Sequence, residues 1–124
     1  MTELALLWLL AGFQVKHVLG DYVLQNAYVL NNRRIWGHPG GVIHVAMHAA
    51  LTLPLLLVAG VHGPLFFAIL LGEALFHYHL DWAKDNILHR NDWGPTDRQY
   101  WWLAGFDQML HQLSYLVIAD LIAI

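Results

Sequence analysis

Glu73-Ala-Leu-Phe-His-Tyr-His-Leu-Asp-Trp-Ala-Lys-Asp85 closes a hydrophobic run with a set of ionisable groups, and its spacing decides how the chain folds. On a helix, Glu73, His77 and Asp81 stand four apart on one face, Lys84 lies a turn further on, and His79 points elsewhere. Ionisable groups at the end of an apolar run need partners. Three other segments repeat the device: His17-x-x-x-Asp21, His44-x-x-x-His48 and Asp107-x-x-x-His111. The rest of the chain reads as a scaffold that brings these pairs together.

Composition says what surrounds them. Of 124 residues, 58% are hydrophobic and 12% charged, whereas a water-soluble domain of this size needs far more polar surface. One domain, residues 1–124, is expected. The absence of cysteine removes disulfide frameworks and thiolate metal sites. A net charge of -3 with six basic residues gives no footprint for nucleic acid. No cleavable signal is expected either, because the first apolar run starts directly after Met1-Thr2-Glu3, lacks a basic region, and continues into Lys16 and His17. The expected class is an all-α, polytopic membrane protein with the lipid bilayer as its partner, built as an antiparallel bundle of four transmembrane helices.

Those helices are expected at about 4–25, 42–59, 65–88 and 97–124. Thr2 is the N-cap of the first, whose apolar half is long enough to cross a hydrocarbon core of roughly 30 Å. The second contains Pro54, which removes one backbone bond and is tolerated in membrane helices. Gly60-Val-His-Gly-Pro64 reads as a tight turn that forces a helical hairpin. Residues 26–41 and 89–98 are the polar loops, and Thr96-x-x-Gln99 has capping-box form at the last helix. Tyr100, Trp101 and Trp102, with Trp36, Trp82 and Trp93, suit an aromatic belt at one interface.

Basic residues set the expected orientation. Arg33, Arg34, Lys84, Arg90 and Arg98 lie in or beside the two polar loops, while both termini and the Gly60–Pro64 turn carry no Lys or Arg. The positive-inside rule then places loops 26–41 and 89–98 in the cytoplasm and both termini outside, as in a bacterial inner membrane. Lys16 is the exception, read as a snorkelling side chain in preference to a desolvated lysine among the pairs. Counting at 1.5 Å per residue puts all four pairs roughly 22–26 Å from the outer face, at one depth just inside the cytoplasmic boundary.

Imidazoles and carboxylates projecting inward from several helices are how bundles build metal sites. The candidate ligands are His17, Asp21, His44, His48, His77, Asp81, Asp107 and His111, enough for one divalent ion with supporting residues or for two ions. Nitrogen and oxygen donors without thiolates suit zinc first, with iron or manganese also compatible. A bound ion with an open position makes a nucleophile from water, and Glu73 or Asp81 is then the candidate general base. Ionisable groups inside a membrane are costly and usually functional. By contrast His38, His62 and His89 sit in loops or turns and read as solvated, and His79 lies off the stripe. Gln25, Gln108, Gln112, Ser114 and Tyr115 read as hydrogen-bonding supports, and Gly12, Gly20, Gly72 and Gly105 as close-packing positions.

His17-Val-Leu-Gly-Asp-Tyr-Val-Leu-Gln25, His44-x-x-x-His48, His77-x-x-x-Asp81-x-x-Lys84 and Asp107-Gln-Met-Leu-His111 together resemble the bacterial and phage membrane family known as domain of unknown function 3307. The resemblance covers nearly the whole chain and implies a small polytopic membrane protein, without an established reaction. The leading functional expectation is a metal-dependent hydrolase acting on a membrane-borne substrate. The alternative is a structural or accessory subunit, such as a phage-encoded or complex-associated one, whose polar pairs only hold helices together. It predicts a homo-oligomer or a larger membrane complex. An ion or proton conductor is a third reading, disfavoured because the pairs occupy a single depth.

Overall fold

The computed structural model describes residues 1–124 and is all-helical. Helix α1 (Glu3–Val18) runs directly into a π-helical turn (Leu19–Val23), followed by α2 (Ala27–Asn32), α3 (Pro39–Val58), α4 (Gly63–Asn91) and α5 (Arg98–Ala123). The four long helices close into a ring in which α1 and α4 each pack on both α3 and α5, and α2 lies against α3.

Local chemistry explains most of the boundaries. Thr2 caps α1, its Oγ1 accepting from the Ala5 N–H at 3.1 Å. The α3–α4 turn is tight because Gly60 and Gly63 take φ of 75° and 66°, a region where a Cβ is penalised. Segment 26–41, expected as a loop, contains α2. Asn26 caps it by accepting from Val29 N–H at 3.0 Å, and Val29 is buried, so a cap and one apolar anchor suffice for a six-residue turn of helix. The expected Thr96–Gln99 capping box is replaced. Asp97 holds the N-cap position of α5, and its carboxylate accepts from the Gly94 N–H at 2.8 Å instead of from the helix.

Burial runs opposite to that of a water-soluble protein. The buried residues include twelve polar or charged side chains against nine apolar ones, while Trp8, Leu57, Val58, Phe67 and Leu71 are among many large apolar side chains left exposed. Three helical stretches are both long and apolar enough to cross a membrane: Glu3–Val23, Pro39–Val58 and Gly63–Asn91. The expected fourth, α5, has the length at 26 residues but not the composition, because Asp107, Gln108, His111, Gln112, Ser114 and Asp120 dilute it.

Each long helix buries a stripe at a spacing of about four residues: Leu9, Phe13 and His17 on α1, with Asp21 in the π turn; His44, His48, Thr52 and Leu56 on α3; Ile69, Glu73, His77 and Asp81 on α4; and Asp107, His111 and Tyr115 on α5. At one end these stripes form an apolar plug of Leu9, Phe13, Leu56, Val61, Ile69, Tyr115, Ile118 and Ala119. At the other end they meet in a polar layer. Phe13 stacks on Tyr115 with ring centroids 5.1 Å apart at the boundary between the two.

Candidate metal centre

The polar layer is built around two carboxylates. Asp21 arrives on the π turn, where the Leu24 N–H bonds the Leu19 carbonyl at 2.8 Å; the widened ladder changes the angular phase of the chain just where Asp21 turns inward. Its Oδ1 lies 3.2 Å from His44 Nε2, 2.8 Å from His48 Nε2 and 3.6 Å from His77 Nε2. Asp81 Oδ2, from α4, lies 3.2 Å from His44 Nε2 and 3.0 Å from His77 Nε2. Those two imidazole nitrogens face each other at 3.2 Å, an arrangement that needs a proton or a cation between them.

These spacings test whether an ion fits. Zinc–nitrogen and zinc–oxygen bonds of about 2.0–2.1 Å in tetrahedral geometry place ligand atoms about 3.3–3.4 Å apart. The distances among Asp21 Oδ1, His44 Nε2 and His77 Nε2 run from 3.2 to 3.6 Å, and Asp81 Oδ2 stands within 3.2 Å of both imidazole nitrogens. Asp21, His44, His48 and His77 each bring one donor atom within 4.8 Å of the others, and so do His77, Asp81 and His111. The layer is compatible with a metal ion.

Electrostatics points the same way. Five carboxylates, Asp21, Glu73, Asp81, Asp85 and Asp107, meet three cationic side chains, Lys16, Arg33 and Lys84. With the imidazoles neutral, five against three leaves two negative charges in a buried place, a deficit that a divalent cation or protons on two imidazoles would close. Asp81 Oδ2 and His111 Nε2 are buried with no hydrogen-bond partner. His111 Nδ1 lies 2.8 Å from the Asp107 carbonyl, which can only accept. In the neutral ring the proton therefore sits on Nδ1, which leaves the Nε2 lone pair 3.7 Å from Asp81 Oδ1.

The remaining candidates sit beside the centre. His17 lies 3.2 Å from Asp21 Oδ2, but both its nitrogens are engaged, Nδ1 with the Tyr115 hydroxyl at 2.7 Å and Nε2 with Gln108 Oε1 at 2.6 Å. Asp107 pairs with Lys84 at 3.0 Å and stands 3.4 Å from His111 Nδ1, outside both groups of converging donors. His48 has Lys16 Nζ at 3.2 Å from Nδ1; an ammonium only donates, so His48 gives its Nε2–H to Asp21 and orients that carboxylate. As a ligand it must first lose that proton. Glu73 sits deeper and pairs with Lys16 rather than reaching the centre. His79 is exposed and accepts from the Trp36 indole at 3.2 Å.

Two supporting residues were not legible as such. Lys16 does not snorkel: it is 3% exposed, lies between Glu73 and His48, and rides 4.9 Å above the Tyr115 ring, because a buried carboxylate on the facing helix repays its desolvation. Arg33, read only as a loop charge, folds back over the layer. Its guanidinium forks onto Asp85 at 2.9 and 3.3 Å, meets Gln25 Oε1 at 3.1 Å and stands 3.6 Å from Asp81. Burial works against its charge, yet Asp81 and Asp85 outweigh this and raise its pKa above the usual arginine range. Gly20, expected as a close-packing position, is one: a Cβ there would fall inside the His48 ring, whereas Gly72 and Gly105 have open space where a Cβ would stand.

No curated protein and no solved structure matches the chain. A family model matches residues 9–124, and with that match covering all four polar pairs, the chain belongs to the family described as Protein of unknown function (DUF3307).

Proposed function

We propose that this chain is an integral membrane metalloprotein, a four-span bundle that holds one divalent ion, zinc first, and hydrolyses a membrane-borne substrate at the cytoplasmic side. The observation that carries the reading is the convergence of Asp21 Oδ1, His44 Nε2 and His77 Nε2 at 3.2–3.6 Å from one another, the spacing of ligands about a tetrahedral ion, with the Asp81 carboxylate beside the two imidazoles. Asp21, His44 and His77 are the ligands in this reading. A fourth position is then open to water, with Asp81 Oδ2, 3.0–3.2 Å from both imidazole nitrogens, as the neighbouring carboxylate. An ion with such a position supplies a water made nucleophilic near neutral pH.

Membrane embedding is supported by the inside-out burial and by three helices of sufficient length and apolarity. In this setting α5 is the fourth span, its polar stripe covered by the ring of neighbours. The orientation proposed from the bases puts Arg33 and Lys84 at the cytoplasmic mouth of the centre, in a bacterial inner membrane.

Metal analysis of protein purified in mild detergent tests the reading. One ion per chain is expected, falling to a small residue in Asp21→Asn and in His44→Ala; intact protein that carries no ion and takes none up would sink it. The alternative of a non-catalytic accessory subunit draws on polar bonds that cross between helices, such as His17–Tyr115 and Lys84–Asp107. It leaves His111 Nε2 and Asp81 Oδ2 buried without partners. On that reading the same substitutions lower stability with no metal to lose.

A further inference from the structure

An apolar groove runs between α4 and α5 on the side of the bundle, with a volume of about 410 Å³. It extends from Leu65 and Leu121, near the apolar end, up to Phe76 and Leu110, which lie one residue before His77 and His111. The groove therefore starts at the level of the metal layer and leads away from it through the apolar half. The space is open: a Cβ on Gly72 would meet no heavy atom within 4 Å. Glu73 and Ser114 are its polar residues, and the Ser114 hydroxyl is spent on the His111 carbonyl at 2.6 Å. Glu73 is 6% exposed, it lines the groove, Oε1 is taken by Lys16, and Oε2 is buried with no partner.

We propose that this groove seats one hydrocarbon chain of a membrane lipid, whose polar part meets Glu73 Oε2 with a hydroxyl or N–H donor and continues to the metal layer. The inference rests on the membrane reading above and narrows the substrate class to lipids.

Dimensions select the occupant. From Leu65 to Phe76 the helix rises about 17 Å at 1.5 Å per residue, close to half of a hydrocarbon core of about 30 Å, which is the depth of one leaflet. The non-atom space along that length, the open side included, is about 900 Å³, which gives a mean cross-section of at most about 53 Å². A helix with side chains is about 10–12 Å wide and needs roughly 80 Å² or more, so a helix from a second copy does not enter. A single alkyl chain does. Polarity agrees as well: a lipid of the cytoplasmic leaflet carries its head at the level of the metal layer and its tail toward the bilayer centre, the direction in which the groove runs. A buried carboxylate oxygen without a donor is costly, and a lipid hydroxyl or amide at the junction of head and tail supplies one.

The test uses the full chain in vesicles of phosphatidylethanolamine and phosphatidylglycerol doped with a phospholipid bearing a diazirine on one acyl chain. After illumination, adducts are mapped by peptide mass spectrometry and metal is counted in the same sample. Adducts concentrated on 65–76 and 110–121, reduced at least five-fold in Gly72→Phe with metal content unchanged, are expected. Labelling spread evenly over the outer faces of α1 and α3, labelling unaltered by Gly72→Phe, or a crosslink joining two protein chains through the groove overturns the proposal. Should Gly72→Phe fail to fold, the distribution of adducts on the unsubstituted chain decides alone. A metal-loaded protein without groove adducts refutes the lipid inference and spares the metal reading; groove adducts on a protein that binds no metal do the reverse.

Discussion

Gly20→Ala is the sharpest perturbation of the centre, because it changes no candidate ligand. A Cβ at Gly20 would stand 2.8 Å from His48 Nδ1 and closer still to Cε1 and Nε2. Ordinary carbon contacts lie at about 3.5–4.0 Å, so the ring must retreat by roughly 1 Å. It has little freedom to do so, held by Lys16 at 3.2 Å on one nitrogen and Asp21 at 2.8 Å on the other. Overpacking of this kind costs about 1–3 kcal/mol, and exchanging a helical glycine for alanine returns up to about 1 kcal/mol. The net loss of stability is therefore about 0–3 kcal/mol. Metal affinity suffers more, since ligand distances tolerate only about 0.2 Å and displacing a residue that orients a ligand costs about 10–100-fold. Cobalt(II) titration followed by visible absorption, beside thermal unfolding in the same detergent, reads both quantities. Gly72→Ala is the matched control: with nothing near its Cβ it should gain up to about 1 kcal/mol and bind cobalt normally. Equal cobalt affinity in Gly20→Ala and the unsubstituted chain, or equal loss in the two alanine variants, would refute the reasoning.

Other perturbations address the supports. Lys16→Met should cost about 3–5 kcal/mol by leaving Glu73 charged and alone, and adding Glu73→Gln should recover most of it; strict additivity in a denaturation cycle would show that the pair does not interact. Arg33→Ala should cost about 3 kcal/mol by the same reasoning and expose residues 26–38 to limited proteolysis, with Arg33→Lys recovering less than half because an ammonium cannot fork onto Asp85. Unchanged proteolysis in Arg33→Ala would mean that the bend over the layer is held by something else. As the chain has no cysteine, single cysteines report topology cleanly: His62→Cys should react with an impermeant maleimide on intact spheroplasts and Asn31→Cys only after permeabilisation. The opposite pattern inverts the proposed orientation.

How much of this was legible follows from which way side chains face. His17, His44, His77 and Asp107 each begin a pair at i, i+4, and helical periodicity alone puts both members of a pair on one face; counting along the helices then gave their common level. Helix existence was equally readable, since apolar runs of the length of α3 and α4 have few alternatives. What periodicity cannot register is a change in the ladder itself. The π turn at Leu19–Val23 alters the angular phase just before Gln25, and nothing in Leu-Gly-Asp-Tyr-Val announces it. Nor does spacing reveal a side chain that returns from outside a helix, and so Arg33 was visible only as a topological charge. Lys16 was misread for a related reason: its partner Glu73 lies 57 residues away, and only the folded ring brings the two together.

The apolar plug of Phe13, Leu56, Ile69 and Ile118 beneath the polar layer gives the molecule a further property. In a bilayer, such a plug makes the centre a blind well rather than a conduit. An ion, water or proton that reaches His77 from the loop side must leave by the same side, so charge is exchanged there without dissipating the transmembrane potential. Each elementary charge crossing the full membrane is worth about 2.3 kcal/mol per 100 mV, and a well that opens near one face samples only a small fraction of that drop. On the proposed membrane reading, any chemistry at the centre is thereby insulated from the transmembrane potential.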